Sequence, residues 1–248
     1  MCILQHNLGN NKVTYYSTKE EIEKLDDLAV ANGLEIRQMM ELAGWHILAV
    51  FDELKIPKTA KVVVVCGKGN KGGDGLSATH HLINQGWKVD VVFISKELVA
   101  NVQHQFNLLR KMKAAMINYS DNKKKAERAI KSSDVIIDAL IGYHLKGAPR
   151  GDYADVIMVI NSASKKVIAY DIPTGIDATT GECFDPSIEA TVTLTLALPK
   201  KAFKFEEAKN KSGQIFLADI GIPAFIYDQI SPNSRPRFKA GQKSIIKL

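Results

Sequence analysis

"VVVVCGKGNKGGDGLSATHHL", residues 62–82, joins an unbroken apolar run to a helical pattern through a segment with glycines at 67, 69, 72, 73 and 75. Four valines in a row, bounded by glycine, read as a strand covered on both faces, the habit of parallel sheets. A strand that feeds a helix through a glycine-rich turn is where phosphate meets backbone in α/β folds. Glycines allow close approach and positive φ, and the helix N-terminus offers unpaired N–H groups and a positive dipole end. A turn alone needs fewer than five glycines in nine residues, so a bound phosphate or pyrophosphate is the expectation. The spacing is neither G-x-G-x-x-G nor G-x-x-x-x-G-K-[ST]. Lys71 stands in its middle, and Asp74 would repel a phosphate; it either caps the helix or faces a sugar hydroxyl.

Outward from this unit the pattern repeats. Two helices precede it, "STKEEIEKLDDLAVANG" with capping-box spacing at Ser17/Glu20 and Thr18/Glu21, and "EIRQMMELAGWHILAVFDEL" with Gly44 placed for close backbone approach. After it, strands "KVDVVFIS", "MINYS", "DVIIDAL" and "KKVIAYDI" alternate with helices "NVQHQFNLLRKMKAA", "KKKAERAIKS" and "YADVIMVINSA". The strands "ATVTLTLAL" and "GQIFLADIGI" follow, and "ISPNSRPRFKAGQKSIIKL" reads as an irregular tail. Such alternation builds βαβ units and a mostly parallel sheet, an α/β fold. With 248 residues and no internal repeat or dividing linker, a single domain is expected.

Composition narrows the function classes. No apolar run is long enough to span a bilayer, and "MCILQHNLGNNKVTYYS" lacks the charged and apolar regions of a secretory signal. Cys2, Cys66 and Cys183 have no metal-ligand spacing, so reduced thiols and a cytoplasmic location are expected. A net charge of +6 suits a nucleic acid or a phosphate-bearing small molecule. The basic stretches "DNKKKAER" and "PKKAFKFEEAKNK" read as solvated faces, without the stacked aromatics of an RNA-recognition module, so nucleic acid is disfavoured.

In doubly wound sheets ligands bind beyond the carboxyl ends of the strands. Three strand ends carry unusual loops: "GKGNKGGDG", "DALIGYHLKGAPRG" and "DIPTGIDATTG". Asp138 and Asp171 each end an apolar strand. Either alone is more often a turn or cap residue; together, on neighbouring strands, they could share a cation or a proton. Hard cations favour such oxygen ligands. His144 by itself is more often a surface or structural histidine.

These loops together resemble the YjeF N-terminal domain family, whose best-known activity is NAD(P)HX epimerase. "GKGNKGGDGL" is similar to the family's G-x-G-N-N-G-G-D-G-L loop, and "IIDALIGYHLKG" to its D-A-[IL]-[FL]-G-[TF]-G/S segment. "YDIPTGIDATTG" is similar to D-[IL]-P-S-G-x-[DN]-x-x-x-G, "MELAG" to the M-E-x-A-G helix, and "LALPKKAF" to a strand end in P-K. The similarity runs from about residue 16 to about residue 222. It implies a Rossmann-like three-layer α/β/α sandwich with a mostly parallel central sheet, in a commonly dimeric protein that interconverts the R and S epimers of hydrated NADH and NADPH, with a separate S-specific dehydratase downstream and no fused dehydratase domain. It implies substrate contacts at Asn70, Lys71, Gly72, Gly73 and Asp74, at Gly142, Tyr143, His144, Leu145, Lys146, Gly147 and Ala148, and at Asp171. It implies a potassium ion on positions matching Asp138, Thr174 and Lys71.

Here Lys71 stands where the family usually has asparagine, and an ammonium only donates. Either it sits near Asp138 and replaces the ion, the favoured reading, or it turns to the pyrophosphate, or it points to solvent. Asp171 is the expected acid/base group, with Asp74 in reserve. Two rivals stand beside the epimerase. One is a non-catalytic nucleotide- or RNA-binding scaffold on the same fold. The other is an NAD-dependent dehydrogenase, against which the missing G-x-G-x-x-G weighs.

Overall fold

The computed structural model describes residues 15–236, 238 and 245–248. Among them an eight-stranded sheet runs in the order β3-β2-β1-β4-β5-β6-β7-β8. The strands are β1 (Lys61–Cys66), β2 (Lys88–Phe93), β3 (Ala115–Asn118), β4 (Val135–Ala139), β5 (Lys166–Tyr170), β6 (Val192–Leu196), β7 (Gln214–Ala218) and β8 (Ile245–Lys247). All neighbours pair in parallel except β7 and β8. The tail expected to be irregular therefore ends in a short edge strand, where Ile245 and Ile246 are buried.

Eight α-helices are described: α1 (Lys19–Ala31), α2 (Ile36–Glu53), α3 (Asn70–Asn84), α4 (Ala100–Lys111), α5 (Lys123–Ser132), α6 (Asp152–Ser162), α7 (Glu206–Ser212) and α8 (Ala224–Asp228). Of the two capping boxes open in the sequence, Thr18/Glu21 is the one formed. Alternate residues of each strand face opposite sides. Val62, Val64 and Cys66 pack under α2, α3 and α4 through Phe51, Leu82 and Leu109. Val63 and Val65 face α5 and α6 through Ile130, Val156 and Ile160. This is the three-layer sandwich that the resemblance implies, on the mostly parallel sheet expected from the alternation. The chain order reverses between β1 and β4, which opens a crevice at their carboxyl ends. Beyond the ends of β6 and β7, α1 and α8 close over Leu198, Ile220 and Ile222.

The glycines around β1 do a different task from the one expected. None of Gly67, Gly69, Gly72, Gly73 or Gly75 has positive φ. They permit close packing instead. A Cβ on Gly67 would lie 2.0 Å from Leu140 O, one on Gly72 2.0 Å from Gly67 O, and one on Gly75 2.5 Å from Ala139 Cβ. Gly69 alone faces open space. Gly44 behaves as expected, since its missing side chain lets α2 approach Ser77 and Ala78 of α3.

Gly75→Ala should therefore destabilise, although alanine favours a helix by about 1 kcal/mol. Overpacking against Ala139, Val64 and Cys66 costs about 1–3 kcal/mol. Urea denaturation checks this; a variant more stable than the wild type would contradict the close contact.

Candidate active site

A cavity of about 380 Å³ opens at the crevice between β1 and β4. Its walls come from the start of α3, the loops after β4, β5 and β6, and an apolar side from α1 and α2 that includes Ile22, Met39 and Met40. Lys68, Gly69, Asn70, Lys71 and Asp74 line it, as do Gly142, Tyr143, His144, Asp171 and Lys200. Gly69 is the N-cap of α3, so the glycine segment is largely the first turns of the helix rather than a loop. The N–H groups of Gly72 and Gly73 both go to Gly69 O, at 2.8 and 3.3 Å, and those two residues face protein. Of the 142–148 segment, only Gly142, Tyr143 and His144 reach the wall. Leu145 is buried, Lys146 and Gly147 are exposed, and Ala148 is half-buried.

Lys71 leaves the first turn of α3 and runs inward beneath the cavity. Its Nζ donates to Asp138 Oδ2 at 3.0 Å, Thr174 Oγ1 at 3.0 Å, Ile172 O at 2.8 Å and Ile141 O at 3.2 Å. Asp138 is fully buried at the end of β4. Besides the lysine it accepts the N–H groups of Leu140 at 3.1 Å and Thr174 at 2.9 Å, and the Thr174 hydroxyl at 2.7 Å. Burial holds the Lys71 pKa below its ordinary value, with the Asp138 carboxylate opposing that shift. A carboxylate, a hydroxyl and two carbonyls form an oxygen set that a hard cation would accept. Here an ammonium fills the set. The residues present do not fit a potassium ion beside it, because a second cation would face Lys71 across the same oxygens.

Asp171 has a separate cation. Lys200, buried after β6, donates to Asp171 Oδ1, to Leu196 O at 3.1 Å and to Leu198 O at 3.2 Å. The lysine's turn is pinned by Ser17, whose N–H reaches Pro199 O at 2.8 Å and whose carbonyl accepts the Lys201 N–H at 2.7 Å. So the two strand-end aspartates do not share one cation, as the sequence suggested; each has its own lysine. Asp171 sits at φ 61°, a left-handed conformation that aspartate tolerates better than most residues.

Two further carboxyls complete the wall. Asp74 is not a cap; it lies in the second turn of α3, buried. Burial, reinforced by the nearby Asp171 and Asp26 carboxylates, pushes its pKa well above the usual range, against the pull of Lys71 and Lys200. Asp26 of α1 accepts the Tyr143 hydroxyl at 2.7 Å, and burial pushes its pKa up to about 6. The cavity thus brings Asp74, whose burial favours the neutral form, beside Asp171, which is ion-paired with Lys200. Lys200 and Asp26 are the members that sequence reading missed. The only signal for Lys200 was the proline-lysine after a strand; Asp26 gave none.

The family described as YjeF-related protein N-terminus matches residues 36–202, and the chain belongs to it. An NAD(P)H-hydrate epimerase of Dehalogenimonas lykanthroporepellens is 32% identical over 227 residues, 89% of this chain and 88% of that protein. An NAD(P)H-hydrate epimerase of Plasmodium knowlesi is 30% identical over 85% of this chain and 72% of that protein. A bifunctional NAD(P)H-hydrate repair enzyme Nnr of Moorella thermoacetica is 34% identical over 84% of this chain, which spans 41% of that relative's length. The crystal structure of yeast ynu0 superposes with a TM-score of 0.83 over 94% of this chain and 100% of that one. At 22% identity, that likeness speaks to the fold alone. No helix among the described residues is long and apolar enough to cross a membrane.

Lys200→Met should leave the buried Asp171 carboxylate without its cation and cost about 3–5 kcal/mol. Pairing it with Asp171→Asn should recover much of that loss, read as a coupling energy in a double-mutant denaturation cycle. Additive losses would contradict the pairing.

Proposed function

We propose, from the chain's membership of this family and the carboxyl pair in its cavity, that it is an NAD(P)H-hydrate epimerase. The isomerase would interconvert the R and S epimers of hydrated NADH and NADPH, as part of nicotinamide cofactor repair. The observation that carries the reading is one cavity holding Asp74, a carboxyl whose burial favours its neutral form, together with Asp171, a carboxylate ion-paired with Lys200. Such a pair can supply an acid and a base to one substrate.

The substrate's pyrophosphate would lie at the α3 N-terminus, against Gly69 and the backbone of Asn70, where the dipole favours an anion. Lys68 lines the same end and offers a positive charge. Lys71 takes part through its backbone only, since its side chain is turned to Asp138. The hydrated ring would sit deeper, between Asp74, Asp171 and the apolar wall of Met39 and Met40.

The reaction is elimination and re-addition at ring carbon C6. The lone pair on the ring nitrogen forms a double bond to C6 as the C6–O bond breaks. The departing hydroxyl keeps that bonding pair, takes the Asp74 proton and leaves as water. Water then adds to the other face of the planar iminium: its oxygen forms the new bond to C6 as the N=C6 π pair returns to the ring nitrogen as its lone pair. The proton it sheds passes to Asp171. Exchange with solvent returns one proton to Asp74 and removes one from Asp171. Lys200 holds Asp171 in place for this transfer. No step runs through potassium. A downstream S-specific dehydratase, a homodimeric assembly and a cytoplasmic location belong to the same proposal.

The test is a coupled assay: R-NADHX, an S-specific dehydratase and its nucleotide, with recovery of NADH followed over time. Recovery that depends on this chain supports the epimerase. No recovery from folded protein would favour a nucleotide-binding scaffold. In the same assay, Asp171→Asn and Asp74→Asn should each lower turnover by about 10²–10⁴ while substrate binding persists. The wild-type rate should fall as pH rises, as Asp74, raised well above its usual pKa, loses the proton it must donate. Near-normal turnover in Asp171→Asn or Asp74→Asn would overturn that residue's role.

A further inference from the structure

We infer that the Lys71 ammonium is this chain's built-in monovalent cation, so that neither its stability nor its turnover depends on potassium. The turnover half rests on the epimerase reading; the stability half does not.

The case is geometric. Four oxygens from three segments converge on one point: Asp138 from the end of β4, Ile141 from the loop that follows, and Ile172 and Thr174 from the turn after β5. Such convergence is costly without a positive charge, since carbonyl dipoles and a carboxylate aim their negative ends together. Nζ supplies the charge at 2.8–3.2 Å from all four. Its side chain is 4% exposed and that of Asp138 is 0% exposed, so the pair is sealed from bulk solvent.

Asp138 leaves no unused oxygen for another cation. Oδ1 accepts Leu140 N–H and the Thr174 hydroxyl, and Oδ2 accepts Thr174 N–H and Lys71. The lysine stem runs past Gly142 uncrowded: a Cβ there would stand 3.5 Å from Lys71 Cβ and 3.7 Å from Cδ, ordinary van der Waals contact. An asparagine at position 71 reaches two bonds less far. It would offer a carbonyl oxygen to the rim and leave the centre open to an ion. Lysine fills the centre itself and is tethered to α3. The clamp on both loops is therefore set when the chain folds and has no dissociation constant.

The test compares wild type, Lys71→Asn and Lys71→Met by thermal melting in choline, sodium and potassium chloride at equal ionic strength. Turnover in the coupled assay is measured in the same salts. The wild type should melt at one temperature, and turn over at one rate, in all three. Lys71→Asn should melt lower in choline and rise by about 5 °C or more in potassium, because a bound ion stabilises the folded state by mass action. Its turnover should be at least about tenfold higher with potassium than with choline. Lys71→Met, which holds neither an ion nor an oxygen, should be destabilised in every salt without rescue.

A potassium-specific rise in wild-type melting temperature or rate would overturn the inference. So would a Lys71→Asn protein that melts alike in all three salts. If Lys71→Asn folds in none of them, the wild-type comparison alone decides. Absent turnover in every salt, with the melting pattern as expected, would sink the epimerase reading and leave the cation assignment standing.

Discussion

Buried positive charge under the strand ends is the constraint on which the rest depends. A parallel sheet delivers the carboxyl ends of its strands to one edge, and here β4 and β5 deliver aspartates there. A buried carboxylate without a partner is strongly disfavoured. Lys71 meets Asp138 from the helix on one side, and Lys200 meets Asp171 from the turn after β6 on the other. With those pairs in place, the loops after β4 and β5 have fixed carbonyl positions, and the cavity floor is rigid before any ligand arrives. Buried pairs of this kind are poor sources of net stability. Their value is in holding one arrangement of polar groups where several would otherwise compete.

The two pairs also set the chemistry of the third carboxyl. Asp74 lies among acids, and the lysines that could neutralise it are already engaged with Asp138 and Asp171. Burial and repulsion therefore favour its protonated form. A neutral-leaning carboxyl and an ion-paired one lie in the same cavity because both lysines are engaged with the other two aspartates.

Much of this was legible in the sequence, for identifiable reasons. Four consecutive valines before a glycine can hardly be anything but a buried strand, so β1 and the parallel sheet followed. Asp138 and Asp171 stood out because a charge ending an apolar run needs an explanation. The glycines were harder. A glycine reports that something comes close but not whether it is a ligand or a carbonyl; at Gly67 and Gly72 it is a carbonyl. Lys200 was hidden in "PKKAFKFEEAKNK", since a lysine bound for a buried ion pair looks like its solvated neighbours. Asp26 was invisible because its partner, Tyr143, is remote in sequence and meets it only when α1 folds over the cavity. β8 failed for want of length; three residues carry no period.

The most direct measurement is a crystal soaked in rubidium, a heavy stand-in for potassium, with data collected at its absorption edge. The account predicts continuous density from the Lys71 side chain to a point among Asp138, Thr174, Ile141 and Ile172, with no anomalous peak there. A rubidium peak on Asp138 and Thr174, with Lys71 turned aside, would contradict it.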